Sequence, residues 1–506
     1  MSDNQPPTPS TDKAIESREE SARNLIKNSG AFLAGDAVGK LLSFLFSVYV
    51  IRQLGSSQYG LYTTALAYAG LFSIMADLGM TQFATREIAR GRKTADSLFW
   101  NLIVIRFILS TFAIIIITAS AAYLANYNQT MVVGIFIACM GFYFHALYGP
   151  ISIILRANER IEYLSLLTTV GQVFTLGLGT YILLNNHSFY ILIVSSYVWI
   201  PITFFLGFYF IRKLNLATFK PNLTPQTWYS LLKHSLPFAM ITFTLLAARD
   251  LDTILLSLWK TEEEVGLYKA AYNLIFKLMF IRSAIIVSLT PQMSRHYGVS
   301  KERVTSTFNF FFKFLWIFSV PIAIGGMLLA KPIIDLLYTD EYAKSAIAFA
   351  ILIWSVPLLN LSSLCGAVTT ATDKEKEAVR VYGAAALLNL ITNLMTIPYW
   401  GYIGAAVSTI FTEFVTLFFF YSILHKDFPL RNLNNLIFKP LLASILMGIV
   451  VFFLQDWFLI GTVIVGIVVY VVTLLLFKPF NPNELKILNS LLMEPIRRKL
   501  GLGKVS

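Results

Sequence analysis

The sequence predicts an all-α polytopic membrane protein, and three observations lead to that class. Of the 506 residues 56% are hydrophobic and only 13% are charged, the mean hydropathy is +0.66, and the apolar residues form long uninterrupted runs. A helix needs about 20 apolar residues to cross the hydrocarbon core of a bilayer. Backbone groups in lipid must pair within their own segment, so each run is predicted to be a helix.

Short polar segments separate the apolar runs and define about fourteen predicted spans. Residues 1–24 are polar and rich in Pro and Ser, so we expect a disordered cytoplasmic tail there. The connections leave no room for a soluble domain on either side. The spans lie at about 30–52, 59–80, 98–124, 131–155, 164–184, 189–211, 236–258, 268–292, 306–330, 346–370, 381–399, 402–424, 439–454 and 457–477.

Basic residues are distributed unequally between the two sides of the membrane. With the N-terminus inside, the inner segments hold 28 Lys and Arg residues, whereas the outer loops hold only Lys260, Lys331 and Lys344. A cytoplasmic excess of this kind is the positive-inside rule. We therefore expect a multi-pass protein of the cell membrane with both termini in the cytoplasm. This topology accounts for the net charge of +12, and no nucleic-acid partner is expected.

An internal repeat relates the two halves of the chain. Residues 25–65 and 231–271 align without gaps at an offset of 206, from a Lys-x-Ser start to a Gly-Leu-Tyr end. Both copies begin on the cytoplasmic side, so they are parallel repeats related by an axis along the membrane normal. The predicted parts are a six-helix lobe at 25–212, a cytoplasmic linker at 213–235, a second six-helix lobe at 236–424, transmembrane helices 13 and 14 at 425–477, and a cytoplasmic tail with an amphipathic helix at 478–506.

Ionisable residues within spans are costly and usually mark transport pathways or ion pairs. Here they gather in spans 1–3 and in their repeat partners, spans 7–9. Asp36 and Lys40 are four residues apart, and Arg249 and Asp252 are three apart, so either pair could close on one helix face. Two lobes that each turn charged helices inward would enclose a polar cavity.

A basic stripe runs along span 8, where Lys269, Asn273 and Lys277 follow one another at helical spacing without an acidic partner in the same helix. Such a lining suits a diphosphate or an acidic sugar, because a charged group cannot enter hydrocarbon unaccompanied. The candidate substrate-binding residues are Lys40, Arg249, Asn273 and Lys277. The candidate residues for a coupling proton or sodium ion are Asp36, Asp250, Asp252 and Glu413.

Seven segments of the chain together form a recognisable pattern: 50–55 (VIRQLG), 58–62 (QYGLY), 76–79 (ADLG), 86–89 (REIA), 252–256 (DTILL), 265–268 (VGLY) and 401–406 (GYIGAA). In combination they resemble the polysaccharide-biosynthesis (Wzx-type) flippases of the multidrug/oligosaccharidyl-lipid/polysaccharide exporter superfamily. This resemblance implies two six-helix lobes, alternating access, and an isoprenoid-diphosphate-linked oligosaccharide as substrate. It also implies a cavity lined by the first two helices of each lobe, which agrees with Lys40, Arg249 and Lys277.

Two other functions compete with a flippase. A drug/cation antiporter of the same superfamily would favour an acidic cavity, and an integral-membrane polysaccharide polymerase or ligase would usually need a long outer loop for catalysis. Asp250-Leu-Asp252 imitates a metal-binding glycosyltransferase motif but lies in mid-membrane, and no phosphate-binding P-loop occurs. We therefore expect no enzyme activity, no cofactor and no metal, with membrane lipids and glycan-assembly enzymes as partners.

Overall fold

The computed structural model describes residues 11–91, 93–185, 188–220, 223–278, 289, 293–294, 297 and 300–480, with side chains from residue 41 onward except at Pro225 and Leu278. Within these residues the chain is helical and contains no strand. Ten of the described helices are long and apolar enough to cross a membrane, or up to eleven if a bent pair counts as one span. The predicted fold class, an all-α polytopic membrane protein, is confirmed.

The described residues of the first half form eight helices. The bent pair lies here: Leu41–Asp77 and Met80–Ala89 are inclined by 47° to one another. Leu78 and Gly79 separate the two parts, and both have positive φ angles, 44° and 75°. The helices are α1 (Thr11–Phe72), α2 (Ile74–Asp77), α3 (Met80–Ala89), α4 (Ala95–Tyr123), α5 (Gln129–Ala157), α6 (Ile161–Leu184), α7 (Phe189–Ser195) and α8 (Ile200–Lys213).

In the described part of the second half, nine α-helices occur with two short turns, a 3-10 turn at Asp340–Tyr342 and a π turn at Asn434–Phe438. The helices are α9 (Pro225–Trp259), α10 (Glu262–Leu278), α11 (Lys301–Leu328), α12 (Ala330–Leu337), α13 (Ser345–Leu352), α14 (Ser355–Ala371), α15 (Glu375–Leu424), α16 (Lys439–Phe453) and α17 (Leu459–Phe477).

Helix α15 is a hairpin of two spans rather than one 50-residue rod. Gly401 has φ 56° and ψ −135°, a conformation that side-chain-bearing residues rarely adopt. The hydroxyls of Thr392 and Ser408 lie 2.5 Å apart, although 16 residues of straight helix would separate them by about 24 Å. The chain therefore reverses at Gly401, as the predicted spans 381–399 and 402–424 require.

Helix α1 also contains a break, at Gly55, with φ 73° and ψ 168°, between the predicted spans 30–52 and 59–80. The helix begins at Thr11, inside the segment 1–24 for which the sequence predicts a disordered tail. The last Pro of the tail is Pro9, and the residues after it are rich in Ala, Glu and Arg, which favour helix. The predicted amphipathic helix of the C-terminal tail lies outside the described residues.

Packing divides the chain into two compact units. Unit 1 contains residues 1–50, 77–111 and 140–236, and unit 2 contains residues 51–76, 112–139 and 237–506. These units cut across the six-helix lobes, so the lobe boundaries remain a prediction. In unit 1 the core gathers around Phe99, Ile151 and Ile211. The C-terminal helices α16 and α17 belong to unit 2, where their side chains form a core with α11.

One contact occurs in both halves of the chain. Asn101 of α4 donates to the carbonyl of Ser97 (2.8 Å) and accepts from the amide of Thr224 (3.1 Å). Asn309 of α11 donates to the carbonyl of Thr305 (2.8 Å) and accepts from the amide of Arg431 (2.7 Å). In each half, an asparagine near the start of the third span of that half therefore binds the backbone of the segment that follows the sixth span of the same half.

Candidate functional site

A cavity of about 220 Å³ lies among α1, α9 and α10, wholly within unit 2. Small-molecule sites usually measure about 300–1,000 Å³, so in this conformation the cavity has room for the charged head of a large substrate and not for all of it. The lining residues are Tyr59, Thr63, Leu66 and Ala67 of α1, Arg249 and Asp250 of α9, and Lys269, Tyr272, Asn273 and Phe276 of α10.

Three charged side chains of the cavity form one cluster. The Arg249 guanidinium donates through Nε (2.9 Å) and Nη2 (2.6 Å) to Asp250 Oδ2. The Lys269 ammonium lies 3.9 Å from Asp250 Oδ1. Arg249 therefore pairs with its neighbour Asp250, and the alternative pairing with Asp252 is wrong. Two cations share one carboxylate, so the cluster carries a net charge of +1.

Exposure within this cluster is unequal. The side chain of Arg249 is 51% exposed, whereas those of Asp250 and Lys269 are 7% and 13% exposed. Gly70 of α1 leaves room for the ion pair, because an added Cβ there would lie 3.2 Å from Arg249 Nη2 and 3.3 Å from Asp250 Oδ2. An anion entering the cavity would therefore meet the guanidinium first, while Asp250 and Lys269 form the buried base of the site.

Aromatic and amide groups complete the cavity wall. Lys269 Nζ lies 5.2 Å from the centre of the Tyr272 ring, which is within range of a cation–π interaction. Asn273 Nδ2 lies 3.5 Å from the Tyr59 hydroxyl. Helical spacing on α10 places Lys269, Tyr272 and Asn273 on one face. The wall thus offers hydrogen-bonding groups and ring faces beside the basic cluster.

A second polar site surrounds Asp252, which α9 turns away from the cavity. Its buried carboxylate accepts from Tyr268 (2.9 Å) on Oδ2 and from Asn393 Nδ2 (2.7 Å) on Oδ1. Thr409 adds a bond of 3.1 Å to Oδ2. Asn393 and Thr409 come from the two arms of the α15 hairpin, so the Gly401 reversal builds this site.

Asn393 adds an unusual feature to the Asp252 site. Its amide nitrogen also lies 3.1 Å from Asn389 Oδ1. Its own Oδ1 is buried and has no hydrogen-bond partner within the described part of the chain. Buried polar atoms are nearly always paired. The Asp252 site therefore combines a carboxylate with further oxygen atoms, the donor set that hard cations prefer.

The other predicted site residues lie elsewhere or are not described. Asp36 and Lys40 belong to α1, but their side chains lie outside the described part of the structure. Lys277 is half-buried, one turn beyond Asn273, and does not line the cavity. Glu413 accepts from Ser362 Oγ at 3.3 Å and also lies outside the cavity wall. Their roles remain predictions.

Unit 1 contains a buried ion pair of its own. Arg106 of α4 is 4% exposed and donates to Asp77 and to Thr81 Oγ1 (2.7 Å). Asp77 also accepts from the amide and hydroxyl of Thr81, at 3.3 and 2.8 Å. The pair thus holds the bend between α2 and α3, and this is a structural role.

The fold and the cavity define a polytopic α-helical membrane protein with a basic, aromatic site between helices of its two repeats. The chain belongs to the polysaccharide biosynthesis protein family, whose model matches residues 25–297, more than half of the sequence. A second model, MatE, matches residues 237–395. The predicted family resemblance is confirmed.

Curated relatives match over most of the chain. "Probable low-salt glycan biosynthesis flippase Agl15" of Haloferax volcanii is 20% identical, covering 92% of this chain and 98% of that protein. "Probable flippase AglR" of the same organism is 22% identical and covers 72% and 76%. An uncharacterised membrane protein of Methanocaldococcus jannaschii is 23% identical and covers 88% and 94%.

Solved structures share the fold at low identity. The lipid II flippase MurJ in an inward closed conformation superposes with a TM-score of 0.72 at 16% identity, covering 88% of this chain and 98% of that one. An inward-facing multidrug resistance MATE family transporter gives 0.63 at 13% identity and covers 77% and 95%. These likenesses concern the fold alone.

Proposed function

We propose that this protein is a flippase that moves an isoprenoid-diphosphate-linked oligosaccharide from the inner to the outer leaflet by alternating access. The observation that carries the proposal is the Arg249–Asp250–Lys269 cluster, which leaves one net positive charge in a cavity walled by tyrosines. A sequence relative bears the name of a glycan-biosynthesis flippase, and a solved structure of the same fold is a lipid II flippase.

The chemistry of the substrate explains why the cavity needs this charge. A diphosphate loses its hydration when it enters a bilayer, and an unpaired ion in a low-dielectric medium costs several kcal/mol or more. Arginine and lysine replace the lost water with charge-assisted hydrogen bonds. The isoprenoid tail can stay in lipid while the head crosses, so a cavity of about 220 Å³ fits a site for the diphosphate alone.

The competing functions find less support. A drug/cation antiporter would bind cations, and two basic side chains against one carboxylate repel them. A polymerase or ligase would need catalytic groups in a long outer segment. The longest predicted outer loop is only residues 331–345, and most of it is occupied by α12 and a 3-10 turn. We therefore propose a transporter without enzyme activity.

A transport assay tests the proposal directly. Purified protein in proteoliposomes is expected to move a short-chain isoprenyl diphosphate carrying a fluorescent sugar, followed by a membrane-impermeant quencher. The corresponding monophosphate should move more slowly, because it offers the basic cluster less charge. Empty liposomes and a lipophilic cationic dye are the controls. Transport of the dye without transport of the diphosphate would refute the flippase and support the antiporter.

Asp252 is the proposed site of the coupling ion. Its carboxylate is buried together with the unpaired Asn393 Oδ1, and neither belongs to the cavity wall. A buried carboxylate can carry a proton, and an ionised one surrounded by oxygens can hold sodium. Asp250 is less suited to coupling, because Arg249 and Lys269 already balance its charge.

We also propose a cell-membrane location with both termini in the cytoplasm. Cysteines introduced at Asn128 and Thr261 are expected to react with a membrane-impermeant thiol reagent added to intact cells, and one at Lys374 is not. Lys374 is a usable position because Asp427, its ion-pair partner at 2.7 Å, keeps a second partner in Lys301 at 3.0 Å. Labelling at Lys374 in intact cells would reverse the orientation.

A further inference from the structure

Two repeated helical segments meet closely at one end of unit 2. They are residues 56–62 near the Gly55 break of α1 and residues 262–268 at the start of α10. A Cβ added at Gly60 would overlap the carbonyl oxygen of Glu262 and lie 3.1 Å from the amide nitrogen of Gly266. A Cβ added at Gly266 would overlap the carbonyl oxygen of Ser56 and lie 3.3 Å from the amide nitrogen of Gly60.

The contact is symmetric with respect to the internal repeat. Gly266 lies 206 residues after Gly60, and Glu262 lies 206 residues after Ser56. The contact of Gly60 with Glu262 therefore becomes the contact of Gly266 with Ser56 when the two repeats are exchanged. In a two-fold interface residue i contacts j while j contacts i, and here that rule holds within a single chain. The Gly60–Gly266 crossing thus lies on the axis that relates the repeats.

Polar contacts surround the crossing. Glu341 Oε2 accepts from the amide of Ser56 (3.1 Å), just after the Gly55 break. The Arg52 guanidinium donates to the carbonyls of Leu336 and Leu337, at 2.6 and 2.7 Å, which end α12. These groups hold the chain on both sides of Gly55 against the second half of the sequence.

The loop between the third and fourth predicted spans reaches the same place. Asn128 Nδ2 lies 3.3 Å from Glu262 Oε1, and the Tyr127 hydroxyl lies 2.6 Å from Ser257 Oγ. Segments from both repeats, each predicted to face the outside, are therefore joined around the two glycines.

The crossing closes one end of the cavity. Tyr59 and Thr63 line the cavity and flank Gly60 on α1, while Lys269 and Asn273 line it just beyond Gly266 on α10. Backbone touches backbone at the crossing, so a Cβ there could be accommodated only by moving the two helices apart. Open and closed positions of this contact would therefore control access to the cavity from the outside.

We propose that the Gly60–Gly266 crossing is the outer gate of the transporter, and that the absence of side chains at these two positions is what allows it to shut. The inference rests on the proposed alternating access and does not depend on the substrate. Alanine at either position is expected to favour the outward-open state. Overpacking of this kind shifts a two-state equilibrium by about 5- to 150-fold.

The experiment measures access to the cavity. Thr63→Cys places a thiol in the cavity wall, and an impermeant maleimide is added outside. Gly60→Ala and Gly266→Ala are each expected to raise its labelling rate several-fold or more. Gly383→Ala is the matched control, because this helical glycine has no atom within 4 Å of an added Cβ. Native Cys139 and Cys365 are fully buried, so their failure to react shows that each variant is folded.

The outcomes separate this proposal from the proposed function. Unchanged labelling in both glycine variants, or an equal rise in Gly383→Ala, would overturn the gate, as would a rise confined to reagent added on the cytoplasmic side. A rise specific to Gly60→Ala and Gly266→Ala would support it whichever lipid is transported. Failure to move the isoprenyl diphosphate would instead count against the flippase alone.

Discussion

Replacing Lys269 by methionine is expected to abolish translocation of the lipid-linked diphosphate while the protein remains folded and inserted. Lys269 is 13% exposed and lies 3.9 Å from Asp250, so its loss changes the net charge of the cluster from +1 to zero. A hydrogen bond to a charged group contributes about 1.5–3 kcal/mol. Affinity for an isoprenyl diphosphate should therefore fall by about 10- to 100-fold, as measured by binding to purified protein and by proteoliposome transport.

Two further variants distinguish a substrate contact from a structural ion pair. Lys269→Arg keeps the charge and should retain part of the transport. If Lys269 served only to balance buried Asp250, Lys269→Met would lower the melting temperature, and the double variant Lys269→Met/Asp250→Asn would restore both stability and transport. If Lys269 binds the diphosphate, the double variant stays inactive.

The matched control for Lys269 is Lys331→Met. Lys331 is 78% exposed, pairs with Asp335 at 2.7 Å and is not part of the cavity wall. The same change of side chain there is expected to leave binding and transport unchanged. Normal transport by a well-folded Lys269→Met variant would remove Lys269 from the mechanism.

The fold was largely predictable because hydropathy and charge act locally along the chain. Runs of about 20 apolar residues define helices whether or not their partners are known. What those runs do not reveal is how neighbouring spans are joined. The reversal at Gly401 leaves no polar loop, so only the glycine between Trp400 and Tyr402 marks it. The helical segment from Thr11 shows a second limit of the sequence analysis. A polar composition predicted a disordered tail there, but such a composition does not exclude local helix.

The candidate site was predictable only where residues share a helix. Arg249 and Asn273 do line the cavity, because helical spacing places them correctly. Lys269 belonged to the predicted stripe but not to the chosen residues, and its proximity to Asp250 depends on how α9 and α10 pack. The partners of Asp252 lie 141 and 157 residues away in the α15 hairpin. No pattern in one sequence reports contacts over such distances.

Asp252 carries the second large expected effect. Asp252→Asn is expected to stop gradient-driven transport. The affinity for the isoprenyl diphosphate is expected to stay within about two- to threefold of wild type, because the substitution removes no contact with the ligand. The reason is geometric: Asp252 faces Asn393 and Thr409 rather than the cavity, so it can affect coupling without touching the substrate. Proteoliposomes with an imposed proton or sodium gradient provide the measurement, and the gradient that accelerates the wild-type protein identifies the ion.

The control for Asp252 must separate ion binding from hydrogen bonding. Thr409→Val removes one donor at 3.1 Å but leaves the carboxylate and its charge in place. We expect this variant to lose about 1 kcal/mol of stability and to keep its response to the gradient, with a shifted ion dependence if the threonine oxygen is a ligand. Asp252→Asn should lose the response altogether, because an amide neither takes up a proton near neutral pH nor balances a cation. Gradient-driven transport by a folded Asp252→Asn protein would place the coupling ion elsewhere, with Glu413 next to be tested.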